Sequence, residues 1–319
     1  MALFLSEADV QALFPMQRGL ECVEASFRAQ HDGKGINRPR QRIFLPGTSL
    51  HYMAAALHDE NLVGMKIYTV TSASFHFVVL LFDGVSGELL AFIEADHLGR
   101  IRTGAASGVA TKYLARTDAS RVAVIGTGRQ ARTQLEAVAL VRKLDGVRVF
   151  SRNERRRLDF CRELSERLNL AVEPVESAEA AVRFAEIVIA ATTSREPVIC
   201  GEWLQPGTHV NAIGANMANR REMDDATLKR ASLITIDSIE QAKEEAGDLI
   251  LGLPGSGHDW DDIVELHEVV GGNKRRTSDE EITVFKSCGI ALWDVAAAGH
   301  IYRQALRAGK GRNMELLKD

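Results

Sequence analysis

The sequence predicts an α/β protein in which a doubly wound parallel sheet is joined to a mixed α+β domain. Three observations carry that reading. From residue 121 onward, short apolar stretches alternate with helical ones, the rhythm of parallel strands linked by crossover helices. The first of these, RVAVIGTGRQA from Arg121 to Ala131, runs from a wholly apolar strand straight into a glycine turn. Before residue 118 the pattern differs, with strand-like runs separated by turn residues, as antiparallel pairing requires.

At 319 residues and 45% hydrophobic composition, the chain can bury a sizeable core and divide into two domains. Charged residues make up 26% and the net charge is -4, which excludes the basic surface that nucleic acid needs. Cys22, Cys161, Cys200 and Cys288 are far apart and form no C-x-x-C pair. They read as reduced thiols of a cytoplasmic protein rather than a disulfide or zinc framework, and no metal is expected. The opening MALFLSEADV lacks a basic leader region, and no stretch reaches membrane-spanning length.

Taken in order, Ser6 to Asp9 has the spacing of a capping box opening a helix. Leu20, Val23 and Phe27 keep helical spacing as far as the breaker at 31–35. Strands are predicted over 42–45, 50–56, 62–70 and 75–82, with a hairpin turn at 83–87 leading into 88–94. A small-residue helix over 102–116 starts at Arg102, and 117–120 marks a domain boundary. Parallel strands are predicted over 121–125, 147–151, 171–175, 187–191, 209–213 and 233–237. The stretch 244–253 runs into a glycine-rich loop at 252–257, and a helix over 290–306 can return to the first domain. The expected domains are 1–118 with 297–319, and 119–296.

Gly126-Thr127-Gly128-Arg129-Gln130-Ala131 is a G-x-G-x-x-A turn between strand and helix, the element of a Rossmann-type sheet that takes a dinucleotide. The first glycine permits the tight turn, and the second lets backbone approach a pyrophosphate. The small third residue lets helix pack close to strand, and the helix N-terminus offers free N–H groups. Gly126, Gly128, Arg129 and Gln130 are therefore candidate cofactor contacts. The next strand bears on which dinucleotide. It ends in Ser151-Arg152-Asn153, followed by Arg155, Arg156 and Arg157, with no carboxylate to accept from a ribose 2′-OH. A carboxylate repels a 2′-phosphate, whereas a hydroxyl and a guanidinium hold one. NADP(H) is the expected preference with NAD(H) possible, and Arg152 beside Ser151 is the expected clamp.

Several segments together resemble the ornithine cyclodeaminase/mu-crystallin family. They are Arg102-Thr103-Gly104-Ala105-Ala106-Ser107, the nucleotide strand starting 19 residues after Arg102, DSIEQAKEEAGDL from Asp237, and FKSCGIALWDVAAAGHIYRQA from Phe285. The resemblance spans nearly the whole chain. It implies an N-terminal domain that supplies substrate contacts and a homodimer interface, beside a Rossmann domain for a nicotinamide cofactor. It also places substrate-binding cations at Arg40, Lys66 and Arg102, with Arg38 and Arg42 flanking the first. An α-imino or α-amino acid brings a carboxylate, which Arg holds bidentately and Lys as a compact charge. Lys66 lies in the apolar run LVGMKIYTV, where an unpaired ammonium is costly unless the strand edge faces water. Arg102 and Thr103 match positions at substrate carboxylate and cofactor phosphate. Thr192, Ile213 and Ser287 fall in the cofactor region, with Thr193 beside the first.

The departures bear on chemistry. Where cyclodeaminases carry a carboxylate that activates water, this chain has Ile213-Gly214-Ala215-Asn216, and an amide is no base near neutral pH. The second family acid, two residues before Met53, is His51 here. Asn216 is thus a candidate substrate contact and His51 a candidate proton donor, its ordinary pKa being near 6.5. Met53, Phe75 and Phe77 line the same site or belong to the core. This set fits an NAD(P)H-dependent reductase of C=N bonds in small α-imino acids, of the ketimine reductase or alanine dehydrogenase type. Lys66 and His51 would be catalytic, and Arg40, Lys66, Arg102 and Asn216 would bind substrate. The rivals are ornithine cyclodeamination and a non-catalytic NADPH-binding protein of the mu-crystallin kind.

Overall fold

The computed structural model describes residues 2–315, which fall into two compact units. One comprises the chain up to Thr103 together with that from Gly289; the other is Gly104–Cys288.

The first unit is built on a sheet. Its elements are β1 (Ala2–Leu5), α1 (Glu7–Leu13), α2 (Met16–His31), β2 (Gly35–Asn37), β3 (Gln41–Leu45), β4 (Thr48–Leu57), β5 (Leu62–Thr71), β6 (Phe75–Asp83) and β7 (Leu89–Glu94). The helix α3 (Asp96–Leu114) follows, and the unit is completed by α11 (Ala291–Ala308) and β16 (Arg312–Met314) once the chain returns. The Ser6 hydroxyl and Asp9 carboxylate form the expected capping box of α1. Strand order is β16-β1-β7-β6-β5-β4-β2, with β3 also paired to β4. Among the described residues only the β1–β7 pairing of this sheet is parallel. Period-2 alternation puts His51, Met53, Ala55 and Leu57 of β4 on the buried face, opposite Leu62, Gly64, Lys66 and Tyr68 of β5. The helix α11 packs on β4 and β5, and a Cβ on Gly64 would meet Val295 at 2.8 Å. That close approach is why a strand interior carries glycine.

In the second unit β8 (Arg121–Ile125), α4 (Arg129–Val141), β9 (Gly146–Phe150), α5 (Glu154–Leu168), β10 (Val172–Pro174), α6 (Ala178–Val182) and β11 (Ile187–Ala190) form the first half. The second half is β12 (His209–Ala212), α7 (Asp225–Arg230), β13 (Ala231–Ile236), α8 (Ile239–Glu245), α9 (Gly247–Ser256), β14 (Val264–Glu265), α10 (Leu266–Val270) and β15 (Ile282–Lys286). All pairings are parallel, in the order β10-β9-β8-β11-β12-β15-β13-β14. The chain order reverses between β8 and β11, and the carboxyl ends of strands at such a switch point are where open α/β sheets bind ligands. Among the described residues, no helix is long and apolar enough to cross a membrane.

Three expectations are corrected. First, α3 begins at Asp96, so Arg102 lies inside the helix rather than at its start. The two compact units divide at 103/104 and 288/289. The C-terminal part of α3 is held within the second unit by Arg142, whose guanidinium donates to the carbonyls of Thr111, Lys112, Ala115 and Arg116. Second, residues 252–256 belong to α9 rather than to a loop, with Pro254 inside the helix. A Cβ on Gly252 would come within 2.6 Å of Leu228, so this glycine allows close packing on α7. Third, β15 is a central strand that the apolar pattern around Phe285 did not separate from the following segment.

A buried histidine is expected to make the second unit acid-sensitive. His209 in β12 is fully buried, with Nδ1 2.9 Å from Thr283 Oγ1. Burial drives the imidazole from 6.5 down to about 3. The unfolded chain takes up that proton near pH 6.5 and the folded one only near pH 3. The stabilisation is therefore full above pH 6.5 and is lost as the pH falls toward 3. Unfolding free energies from urea titrations between pH 7 and 4 should fall, by up to about 1.4 kcal/mol per pH unit from this group. His209→Gln should flatten that dependence, and an identical slope in both proteins would remove the assignment.

Candidate active site

The first unit buries three cations, two of which share one carboxylate. Lys66, Arg102 and Arg40 are 3%, 6% and 4% exposed, and Asp294 of α11 is completely buried. Lys66 Nζ donates to Asp294 Oδ1 at 2.8 Å, and Arg102 Nε donates to the same oxygen at 3.0 Å. Lys66 stands on the inner face of β5, not at a water-facing edge, and a Cβ on Gly99 of α3 would lie 3.1 Å from its Nζ. Its ammonium is 5.4 Å from the Phe77 ring centroid and 6.0 Å from that of Tyr68. Burial, reinforced by Arg102, pulls Lys66 down to about 8, while Asp294 opposes the shift.

One glycine arranges both arginines. Gly289 has φ +81, and a Cβ there would sit 2.6 Å from Arg102 NH1. Its carbonyl accepts from Arg40 NH2 at 3.0 Å. Of the three neighbouring arginines only Arg40 is buried; Arg38 is exposed and Arg42 partly so. His51 pairs with Tyr68 across β4 and β5, one step along from the Met53–Lys66 pair, so it shares the lysine's face. Its ring stacks on Tyr68 with centroids 4.5 Å apart, and its Nε2 lies 2.8 Å from Ser49 Oγ. Thr103, by contrast, turns its hydroxyl back to Gly99 O at 2.7 Å within α3.

The second unit brings the glycine turn and two further loops to the carboxyl ends of β8, β11 and β12. Gly126 has φ +104, and a Cβ there would come 2.5 Å from Ala191 O, so the fold itself demands glycine. Gly128 has φ -77, and a Cβ would meet only Ala191 O, at 4.0 Å. Among the described residues no atom requires glycine at 128, but a phosphate group approaching the backbone would. Arg129 is exposed and Gln130 partly so, both in the first turn of α4. Arg132 donates to Thr127 O and Gly128 O and is paired with Glu163, which braces the turn. Thr127 Oγ1 donates to Ser151 Oγ at 3.1 Å, tying the turn to the end of β9. Arg152, Arg155 and Arg156 are exposed; Arg157 is buried, donating to Ser151 O and paired with Glu176.

The loops after β11 and β12 are clasped by Glu222. Its Oε1 accepts from Thr192 N at 2.7 Å and Thr192 Oγ1 at 2.8 Å, and its Oε2 from Gly214 N at 2.6 Å. Asp248 in turn accepts from the backbone N of Glu222 and of Met223, and is paired with the wholly buried Lys286 at 2.9 Å. Thr192 Oγ1 also accepts from Ser194 N, so this hydroxyl orders its loop. Ile213 is buried, Asn216 is partly exposed, and Ser287 donates to Asp237 Oδ2.

Asp294, Gly289, Glu222, Asp248 and Lys286 escape a reading of local pattern. One signal does point to Asp294, which is the lone carboxylate of α11 and interrupts the apolar run ALWDVAAAG.

A parallel sheet with a glycine turn at its switch point defines a Rossmann-type protein, and its other unit buries Lys66 and Arg102 on one carboxylate. The chain belongs to the ornithine cyclodeaminase/mu-crystallin family, whose profile matches residues 1–309. It is 37% identical over 262 residues to a Δ1-pyrroline-2-carboxylate reductase of Bacillus cereus, covering 79% of this chain and 80% of that one. It is 32% identical over 331 aligned positions to an alanine dehydrogenase of Archaeoglobus fulgidus, covering 99% of each. The Thermococcus litoralis Δ1-pyrroline-2-carboxylate reductase, solved in complex with NADH and L-proline, superposes with a TM-score of 0.93. That chain is 36% identical, with 98% of this chain and 100% of that one covered.

Proposed function

We propose that the protein is an NAD(P)H-dependent oxidoreductase that reduces the C=N bond of small α-imino acids, of the ketimine, cyclic imine or alanine dehydrogenase type. The observation that carries this is the buried pair Lys66 and Arg102 on one carboxylate oxygen, with Arg40 buried in the same unit, in a chain so similar to imine reductases. An ammonium and a guanidinium grouped in this way are the donors that a substrate carboxylate would use.

The residues fit a nicotinamide dinucleotide. Gly128 leaves open the space a pyrophosphate would occupy, next to the N-terminus of α4. No carboxylate stands at the end of β9, where Ser151 and the exposed Arg152 are the donors, so a 2′-phosphate is accepted and NADP(H) favoured. Gly126, Arg129, Gln130, Thr192, Ile213 and Ser287 would shape the rest of the site. Arg102 would serve substrate, and Thr103 and Arg102 would lie beside the cofactor phosphate. A bound reduced nicotinamide supplies hydride to an electrophilic carbon. Arg40, Lys66 and Arg102 hold the carboxylate and so orient the adjacent C=N carbon, while Asn216 contacts the substrate. His51 or a water it holds delivers the proton that leaves the nitrogen as an amine. Cyclodeamination is disfavoured because Asn216 and His51 stand where that reaction needs carboxylates.

A homodimer suits the exposed apolar strand β3, where Ile43, Phe44 and Leu45 are 52%, 65% and 64% exposed. The absence of a disulfide among the described cysteines suits a reducing cytoplasm. The test is NADPH and NADH oxidation at 340 nm with pyrroline- and piperideine-2-carboxylate and with pyruvate plus ammonia or methylamine. Ammonia release from L-ornithine with NAD+ is assayed alongside. Turnover with an imine is expected. Silence on every imine with tight NADPH binding would favour a binding protein, and ammonia from ornithine a cyclodeaminase. Ser151→Asp should move the NADPH-to-NADH ratio of kcat/KM by about tenfold or more toward NADH. An unchanged ratio would remove Ser151 and Arg152 as the selectors.

A further inference from the structure

We propose that Asp294 is a positioning residue of the reaction, one of its buried oxygens fixing Lys66 and Arg102 together so that both meet the substrate carboxylate. This rests on the proposed reading of Lys66 and Arg102 as the carboxylate grip. The two cations come from β5 and α3, far apart in the chain, and would repel each other at this separation without an anion between them. Asp294 Oδ1 is that anion, 2.8 Å from the ammonium and 3.0 Å from Arg102 Nε. Taking Arg102 through Nε leaves its two terminal nitrogens for a ligand, one of them running past the space that Gly289 keeps clear. The guanidinium also lies 5.6 Å from the Trp293 ring centroid, so the residue before Asp294 supports the same group.

A purely architectural role does not account for this arrangement. Asp294 sits in an apolar helix face at complete burial, where a hydrophobic side chain would pack without desolvating a charge. Its second oxygen, Oδ2, is buried and accepts no hydrogen bond from any described residue, so the carboxylate is not there to satisfy its own surroundings. What it does is hold two cations.

The charged groups facing Lys66 are Asp294 of α11, Arg102 of α3 and Arg40 of the segment between β2 and β3; Tyr68 and Phe77 supply neutral rings. The ammonium is lost as the pH rises through about 8, and without Asp294 it would be lost at lower pH. Carboxylate binding should follow the same course.

The test uses the full-length protein and pyrrole-2-carboxylate, a planar carboxylate that cannot be reduced, with affinity followed calorimetrically from pH 6 to 9.5. Binding is read rather than turnover, so failure here is separate from failure of the reductase reading. The wild type should bind more weakly above about pH 8. Asp294→Asn should bind about tenfold or more weakly at pH 7 and lose affinity at lower pH. Asp294→Glu, which keeps the charge, should bind weakly but keep the wild-type pH limb. In a Lys66→Met background the effect of Asp294→Asn should shrink, because the two act as a unit. NADPH affinity and melting temperature report the fold. Wild-type affinity and pH limb in Asp294→Asn, an equal loss in both backgrounds, or no pH-dependent carboxylate binding by the wild type would each overturn the proposal.

Discussion

Lys66→Met is expected to lower kcat/KM for an α-imino acid by about 10²–10³-fold and to leave NADPH affinity unchanged. Lys66 is 3% exposed on the inner face of β5, with its ammonium on Asp294. Methionine fills the same volume, but the substrate carboxylate loses a compact charge and Asp294 keeps only Arg102. Both changes raise the barrier for a substrate that must be held by its carboxylate. The glycine turn belongs to the other unit, so dinucleotide binding is an internal control. Steady-state kinetics and a fluorescence titration with NADPH decide the matter. Unchanged turnover would remove Lys66 from the site, and parallel loss of both activities would point to a general folding defect.

The reverse pattern is expected at the glycine turn. Gly128→Val should weaken NADPH binding by about a hundredfold while shifting the melting temperature little. Its φ is an ordinary -77, and a Cβ would meet only Ala191 O at 4.0 Å, so the protein tolerates the side chain and a phosphate does not. Gly126→Ala differs in kind. With φ +104 and a clash at 2.5 Å with Ala191 O, it should destabilise the fold by about 1–3 kcal/mol as well as weaken NADPH. Pyrrole-2-carboxylate binding should survive in Gly128→Val. If Gly128→Val bound NADPH normally, the pyrophosphate would not lie over this turn.

What the sequence made legible follows from the range over which its signals act. The strands of the parallel sheet are apolar runs bounded by turns, and the switch point carries its own glycine signature, so both are local. The sequence pattern starts α3 at Arg102, six residues late, because Gly99 interrupts the helical signal; a Cβ there would lie 3.1 Å from the Lys66 ammonium. Residues 252–256 carry Gly, Pro and Gly and read as a breaker, yet their small size serves helix packing instead. The cations of the site were found through a resemblance that records them. Their counterion was not, because Lys66 and Asp294 are 228 positions apart and no periodicity links such a pair. The same holds for Glu222, which joins Thr192 to Gly214 from a turn outside both strands.

The central claim is that hydride reaches the carbon of a C=N bond next to a carboxylate. It is tested most directly by incubating the enzyme with pyrroline-2-carboxylate and NADPH deuterated at the transferring C4 position, then weighing the product. The account predicts proline carrying one deuterium, located at Cα, with one NADPH consumed per proline formed. Consumption of NADPH without deuterium at Cα, or no amino acid formed from this or any other α-imino acid, would contradict it.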